Sequence, residues 1–454
     1  MKIPIPERPY HLSWDITTAC NLKCVFCYSA SGKRDPAETP ELVDLIVDNI
    51  AELQPLHLGI GGGEPLLSPY LGEVLQKITE SMGKNTPNTT IDSMVLYDYE
   101  PMINLVKSLN DDMPDTRIGF YISVHGTEKV HDTMVGVKGH YQKVLNSIEL
   151  LRKYGIRFAM GFVPTRYNID QIDAVLDLAL KVKATVFNVS QFVPVGRGQY
   201  HYNLTPQQYR TLIAWVVLQN KRFNYRYVVT HEHWVGVIDE ELFQNELFVG
   251  CSAGIYYFGL RSNGDIVPCQ LSSYVLDNVC NTRLLEVWQT HPVLVQWRER
   301  KVQGKCGDCL FRFKCGGCRC NAVAYTGNFL GEDPLCPFKE AELNKNYSTL
   351  TRLEKGAPQS SLFLDELPEF TDQTRFYKVP ALSTLQGDFL SVRHEPIDAF
   401  VKLTGDARIM YELISDAPFT LGEMKKKFKD KTGRDLPLDE FSDLVKYKLI
   451  ACSE

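Results

Sequence analysis

The stretch "ACNLKCVFCYSASG" (19–32) places Cys20, Cys24 and Cys27 within eight positions, directly after the apolar run "HLSWDIT" (11–17). A structural zinc site draws on four Cys or His ligands. The nearest histidines, His11 and His57, do not stand at ligand-like spacing from this triplet. Three thiolates would instead leave one iron of a four-iron cubane without a protein ligand. Such an open iron can take a small molecule through a chelating amine and carboxylate.

Working outward, short apolar runs alternate with amphipathic stretches up to about residue 230. Strand candidates are 11–17, "LHLGI" (56–60), "RIGFYISV" (117–124), "IRFAMGFV" (156–163) and "TVFNVSQFV" (185–193), with a weaker one at 90–97. Helical patterns lie between them, as at 40–53 and at 141–155, the latter closing on Gly155. Near-continuous hydrophobic strands joined by helices predict an α/β fold with a parallel sheet covered on both faces. About six such units fit a partial (βα)6 barrel, whose functional residues belong at the carboxyl ends of the strands. The cysteine triplet follows the first strand. "GIGGGEPLL" (59–67) follows the second, where glycines let backbone approach a ligand or simply make a tight turn.

The chain has 454 residues, which predicts two or three domains. Thirteen cysteines are an odd count, and most fall in two tight groups. "MKIPIPERPY" has no apolar core of the kind a secretory signal needs, and the longest apolar run, Leu212 to Leu218, is far short of a membrane span. A cytoplasmic protein is expected, where clustered thiols read as metal or iron–sulfur ligands rather than disulfides. A net charge of −6 gives no basic footprint for nucleic acid. The second group comprises Cys251, Cys269, Cys306, Cys309, Cys315, Cys318, Cys320 and Cys336, with no interleaved histidine. Eight thiols suit two four-cysteine sites, of iron–sulfur or zinc type. Cys280 and Cys452 read as ordinary cysteines.

These features divide the chain into a barrel (1–235), a cysteine-rich domain (236–345), a Gly/Pro/Ser linker (346–375) and a small α+β unit (376–454). In the last, strand-like pieces flank Gly387 and helices are expected near 406–415, 420–429 and 438–449, with Thr420 and Glu423 forming a capping box. Asp15, Asp98 and Glu100 could face the barrel mouth, but no residue is singled out as a substrate-side acid or base.

The CxxxCxxC triplet and the glycine turn ending in Glu64 resemble the radical S-adenosylmethionine (SAM) superfamily. The resemblance implies a [4Fe-4S] cluster on Cys20, Cys24 and Cys27, with Phe26 along the adenine. Gly62, Gly63 and Glu64 would hold the methionine amino group, and Ser123, in "YISVHGTEKVHDTMVGVKG" (121–139), would meet the ribose. Two positions depart from the family pattern: His125 replaces the usual acid, and Val135 stands where an arginine often meets the SAM carboxylate. Arg197, in "FVPVGRGQ" (192–199), fits either a surface turn or a place near substrate.

The second group resembles the SPASM extension, closest in pattern to the branch of the pyrroloquinoline-quinone peptide-crosslinking enzyme. That likeness implies two auxiliary iron–sulfur clusters, the nearer on Cys251, Cys269, Cys318 and Cys320, the farther on Cys306, Cys309, Cys315 and Cys336. The last unit resembles PqqD-like, winged-helix-like domains that take an extended peptide as an added strand. The whole implies an oxidoreductase that cleaves SAM to a 5′-deoxyadenosyl radical and crosslinks, oxidises or epimerises a ribosomal precursor peptide, with flavodoxin or ferredoxin as electron donor. Two other readings are a tetrapyrrole-modifying enzyme of the same superfamily and a non-catalytic metal scaffold.

Overall fold

The computed structural model describes residue 3 and residues 5–338 apart from 95–98, 113–116, 231–232, 240–241, 243–244 and 246–247. It also describes much of 372–452, by backbone alone at 375–405 and 450–452. The expected linker and Asp98 therefore lie almost wholly outside the described residues. The chain separates into two compact units, Met1–Gly356 and Ala357–Glu454.

The first unit is built on a ten-stranded sheet in the order β10-β9-β8-β1-β2-β3-β4-β5-β6-β7. The consecutive strands are β1 (His11–Thr17), β2 (His57–Gly62), β3 (Asn88–Asp92), β4 (Ile118–Ser123), β5 (Phe158–Phe162), β6 (Phe187–Val189) and β7 (Val228–Thr230). All pair in parallel. The six expected strands are present, and β7 adds a seventh. Helices connect them: α1 (Pro40–Leu53), α2 (Leu71–Met82), α3 (Glu100–Asp112), α4 (Glu128–Val135), α5 (His140–Tyr154), α6 (Ile172–Val182) and α7 (Pro206–Arg222). The sheet stays open, since β7 pairs only with β6.

Strand alternation separates two faces. Leu12, Trp14, Leu58, Ile60, Ile91, Phe120, Ile122 and Met160 are fully buried and share one core with Ile46, Ile50, Val74, Ile78 and Ile148 of the helices. Their alternates, including His11, Ser13, His57, Gly59, Gly61, Thr90, Tyr121 and Asn188, stay partly exposed and face the other way.

The region after residue 235 does not begin a separate sheet. β8 (Tyr257–Leu260) pairs in parallel with β1, matching His11 to Tyr257 and Trp14 to Leu260. β9 (Asp265–Val267) and β10 (Asp277–Asn278) continue antiparallel from it. This region also has a core of its own, with Val249, Ile255, Trp297, Val323 and Phe329 buried together. It is less loop-dominated than its composition suggests.

In the second unit, β12 (Ala381–Gln386), β13 (Phe389–His394) and β14 (Ala399–Leu403) form an antiparallel meander. β11 (Arg375–Lys378) lies between β15 (Phe419–Thr420) and β16 (Ile450–Cys452) in a second sheet. Helices span Gly405–Leu413 and Leu421–Thr432, and the second opens with the expected capping box. Met410, Met424, Phe428, Phe441 and Leu444 form its core. Among the described residues of this unit, six strands stand where the pattern suggested a pair. The extra ones are two to six residues long and carry little periodic signal.

Candidate active site

The first thiol loop leaves β1 and is fastened from three sides. Cys20 N–H donates to Gly32 O at 3.0 Å, closing the loop on itself. Lys23 and Val25 N–H donate to Val135 and Met134 O, both at 3.0 Å, tying it to the end of α4. Arg197, from the loop after β6, donates through Nε to Cys24 O at 3.0 Å and through Nη1 to Ser31 O, while its own N–H reaches Cys27 O at 2.9 Å. It is thus a clamp on the cysteine loop rather than a surface turn residue. Its Nη2 is buried without a partner.

Cys20, Cys24 and Cys27 gather with Leu22, Phe26, Met94, Val135 and Val137. Burial, reinforced by the neighbouring thiols Cys27 and Cys20, pushes the Cys24 thiol up to about 12. Burial also raises the Cys20 thiol. Thiols held protonated in this way fit iron ions, which would draw their protons off, and the unsatisfied guanidinium N–H suits the sulfur of the anionic group so formed. Val135, where the family often has an arginine, is fully buried against Leu22 and Cys24. Phe26 stands edge-on to His125 at 4.3 Å between ring centroids. His125 begins a row of buried, stacked imidazoles: its backbone N–H donates to His131 Nδ1 at 3.1 Å, and His131 Nε2 meets His140 Nδ1 at 3.1 Å. Ser123, at the end of β4, is half-buried on the interior face.

The glycine turn packs on that same loop. Gly62 has φ +123, and a Cβ there would stand 2.3 Å from Thr17 O; one on Gly63 would stand 2.1 Å from Ala19 O. Both positions are therefore closed to any side chain by the backbone of 17–19. Gly63 and Glu64 N–H donate to Thr17 and Ala19 O, each at 2.7 Å. Glu64 is 2% exposed. Its carboxylate accepts from Met94 N–H at 3.0 Å and Leu66 N–H at 3.3 Å, and burial still raises it to about 7.

The interior face of β1–β4 holds an acid and hydroxyl group of residues. Asp15 accepts from Tyr28 Oη at 2.7 Å, and burial lifts it to about 6. Asp92, on the same face, keeps exposed surface, and burial by the surrounding protein with the nearby Glu64 and Asp15 raises its carboxyl to about 7. A Cβ on Gly61 would lie 3.8 Å from both Asp15 Oδ1 and Asp92 Cβ. Tyr121 lies over Gly161 and meets Ser190 Oγ at 3.3 Å. Glu100, by contrast, is on α3 and pairs with Lys153 and Tyr154.

The eight later thiols stand in two groups of four. Cys318 and Cys320 are buried together with Cys269 packed against them, and Cys251 is close enough to Cys318 to be shifted by it. Cys306, Cys309, Cys315 and Cys336 line one cavity with Trp234, Phe311 and Phe338. Cys280 is exposed. Among the described residues, no three His, Cys, Asp or Glu side chains already form a group that would hold a metal ion. The donor chemistry of the two groups is nonetheless all sulfur, which suits iron–sulfur clusters. The pairing of these sulfurs depends on contacts across up to 69 residues of sequence, from Cys251 to Cys320, beyond what local pattern displays.

The model of the radical SAM superfamily matches residues 14–179. That of the iron–sulfur cluster-binding SPASM domain matches residues 251–310. The chain is similar to the mycofactocin maturase MftC of Mycobacterium ulcerans, 31% identical over 73% of this chain and 88% of that one. It is also similar to the AdoMet-dependent heme synthase of Methanosarcina barkeri, 25% identical over 74% of this chain and 99% of that one. Its fold resembles Streptococcus suis SuiB bound to its precursor peptide SuiA, with a TM-score of 0.57 at 21% identity, covering 74% of this chain and 77% of that chain. Radical SAM and SPASM domains carry [4Fe-4S] clusters and bind SAM. With a triplet after β1, a glycine turn after β2 and a sulfur-rich extension on the same sheet, this chain belongs to the radical SAM superfamily, among its members with a SPASM extension.

Proposed function

We propose that this radical SAM enzyme matures a ribosomally made peptide. Cys20, Cys24 and Cys27 would hold the SAM-cleaving cluster, with Gly62, Gly63 and Glu64 at the methionine end of SAM and Phe26 and Ser123 at the nucleoside end. That cluster supplies one-electron cleavage of SAM to a radical that takes a hydrogen atom from substrate. The two groups of four thiols would hold auxiliary clusters. The divisions at 235/236 and 345/346 belong to this proposal, as do a PqqD-like role for 376–454, a cytoplasmic setting and a flavodoxin or ferredoxin donor. Among the described residues, none could cross a membrane as a helix.

The observation that carries the peptide reading is the charge of the interior. Asp15, Asp92, Tyr121, Thr90 and Ser13 line it, and no lysine or arginine is among the described inward-facing residues of β1–β6. The guanidinium that acts on Asp15, Arg261, is bonded to Ser272 O. A tetrapyrrole brings several carboxylates, which need cationic partners. A peptide side chain that donates hydrogen bonds fits this wall better. The tetrapyrrole reading keeps one support, the match to almost the full length of the heme synthase.

The test uses the full chain with its clusters reconstituted, SAM and a reductant. Short peptides encoded beside the gene are compared with carboxylated tetrapyrroles. A mass change in one peptide, with 5′-deoxyadenosine formed in step, is the expected result. Turnover of a tetrapyrrole alone would replace this reading with the other.

A further inference from the structure

"CGGC" (315–318) joins the two later thiol groups, and two arginines press on its glycines. A Cβ on Gly316 would stand 2.5 Å from Arg300 Nη1. One on Gly317 would stand 2.8 Å from Arg319 Nη2 and 3.1 Å from Cys306 Sγ. Both glycines have positive φ, +72 and +68. The turn is therefore shaped so that two guanidiniums reach the junction of the groups.

These cations are deeply buried, Arg300 3% and Arg319 0% exposed. Both lie against Trp297, with Cζ 3.8 and 5.0 Å from its ring centroid. Arg319 donates to Phe329 O at 3.0 Å, Gly331 O at 2.6 Å and Gly317 O at 3.3 Å, and Arg300 donates to Val249 O. Arg300 Nε and Nη1 and Arg319 Nη2 have no partner. The buried carboxylate nearby, Asp333, is taken up by His233 and by the N–H groups of Cys318 and Leu335. Two close, buried, like charges without a carboxylate are unfavourable unless an anion fills the space between them. Four-thiolate iron–sulfur clusters are such anions, with sulfur acceptors for the free N–H groups. Both guanidiniums reach the turn that runs from Cys315 of one group to Cys318 of the other, and Arg319 Nη2 and Cys306 Sγ converge on the same glycine, Gly317.

We propose that Arg300 and Arg319 form a shared cationic bridge that raises the reduction potential of both auxiliary clusters, making them a coupled pair of electron acceptors. The inference rests on reading the eight cysteines as cluster ligands. The favoured step is one-electron reduction of a cluster. The electron comes from the substrate radical left after hydrogen abstraction, which becomes a closed-shell product by giving this electron to the cluster and a proton to solvent, or from the chemical reductant of a titration. Positive charge near a cluster stabilises the reduced, more negative state.

The experiment is an EPR-monitored redox titration of the reconstituted full chain, with iron and sulfide analysis of each sample. Arg300→Gln should lower the reduced-to-oxidised ratio of the auxiliary signals about tenfold at fixed potential, a shift of ~59 mV. Arg300→Lys should recover most of it. SAM cleavage without peptide should be unchanged in both. Auxiliary midpoints equal to wild type in fully loaded Arg300→Gln would overturn the proposal. If that variant does not load, the wild-type protein decides. After exchange into deuterated buffer, pulsed EPR should find strongly coupled exchangeable N–H deuterons at both auxiliary clusters, and their absence would overturn it. Wild type holding about four irons instead of about twelve would instead sink the underlying eight-cysteine reading.

Discussion

Arg197 and Cys24 are 173 residues apart, yet the guanidinium fixes the cysteine loop through its carbonyls. Arg197→Ala should therefore loosen all three thiols at once. The expected outcome is a tenfold or greater loss of SAM cleavage with a broadened EPR signal, while Arg197→Lys, lacking the planar fork, recovers only part. Cys24→Ala removes a ligand outright and should abolish 5′-deoxyadenosine formation; a wild-type yield would contradict its assignment. Asp92 offers a pH test. Burial, then Glu64 and Asp15, raise it from 3.8 to about 7. A raised carboxyl keeps its proton in the folded chain where the unfolded chain has lost it, so stability falls as pH rises through that interval. Asp92→Asn should raise Tm more at pH 8 than at pH 5, and an equal gain at both would count against the raised-carboxyl account. The triplet was legible because its ligands are local in sequence. Arg197 stood out only as a turn arginine with two possible places, and Arg300 and Arg319 did not stand out at all, because an arginine is exposed by default and only long-range packing buries the latter two.

At the scale of elements, the glycine turn and the cysteine loop are one device. A methyl on Gly63 would meet Ala19 O, so Gly63→Ala should displace the loop and lower iron at the first cluster without unfolding the chain; iron per chain and circular dichroism measured together separate the two effects. In the second unit Thr420 accepts from Glu423 N–H at 3.2 Å and Glu423 Oε2 accepts from Thr420 N–H at 2.8 Å. Thr420→Ala should cost about 1 kcal/mol, read from denaturant unfolding of the intact chain. Strands β1 to β6 were visible as five- to nine-residue apolar runs. β7 and β8 were not, since "VVT" and "YFGL" are too short to show a period and acquire strand form from their neighbours. That β8–β10 extend the barrel sheet was likewise not visible in the sequence, because pairing of β8 with β1 spans the whole barrel.

For the molecule as a whole, compact packing separates at Gly356/Ala357, and the similarity to the maturase and the heme synthase leaves about a quarter of the chain unmatched. A chain ending at residue 356 should retain SAM cleavage in the absence of peptide and lose modification of the precursor; full peptide turnover by the shortened chain would remove the recognition role from the second unit. The order of the sheet carries one more consequence. β1 is flanked by β2 and β8 and lies three strands from β10 and six from β7, far from both open edges. Amides at the rim open by local fraying, whereas those of an interior strand exchange only through larger openings. The strand that launches the cysteine loop should therefore be among the slowest to take up deuterium, so that the edges of this sheet can breathe while the seat of its radical chemistry stays shut.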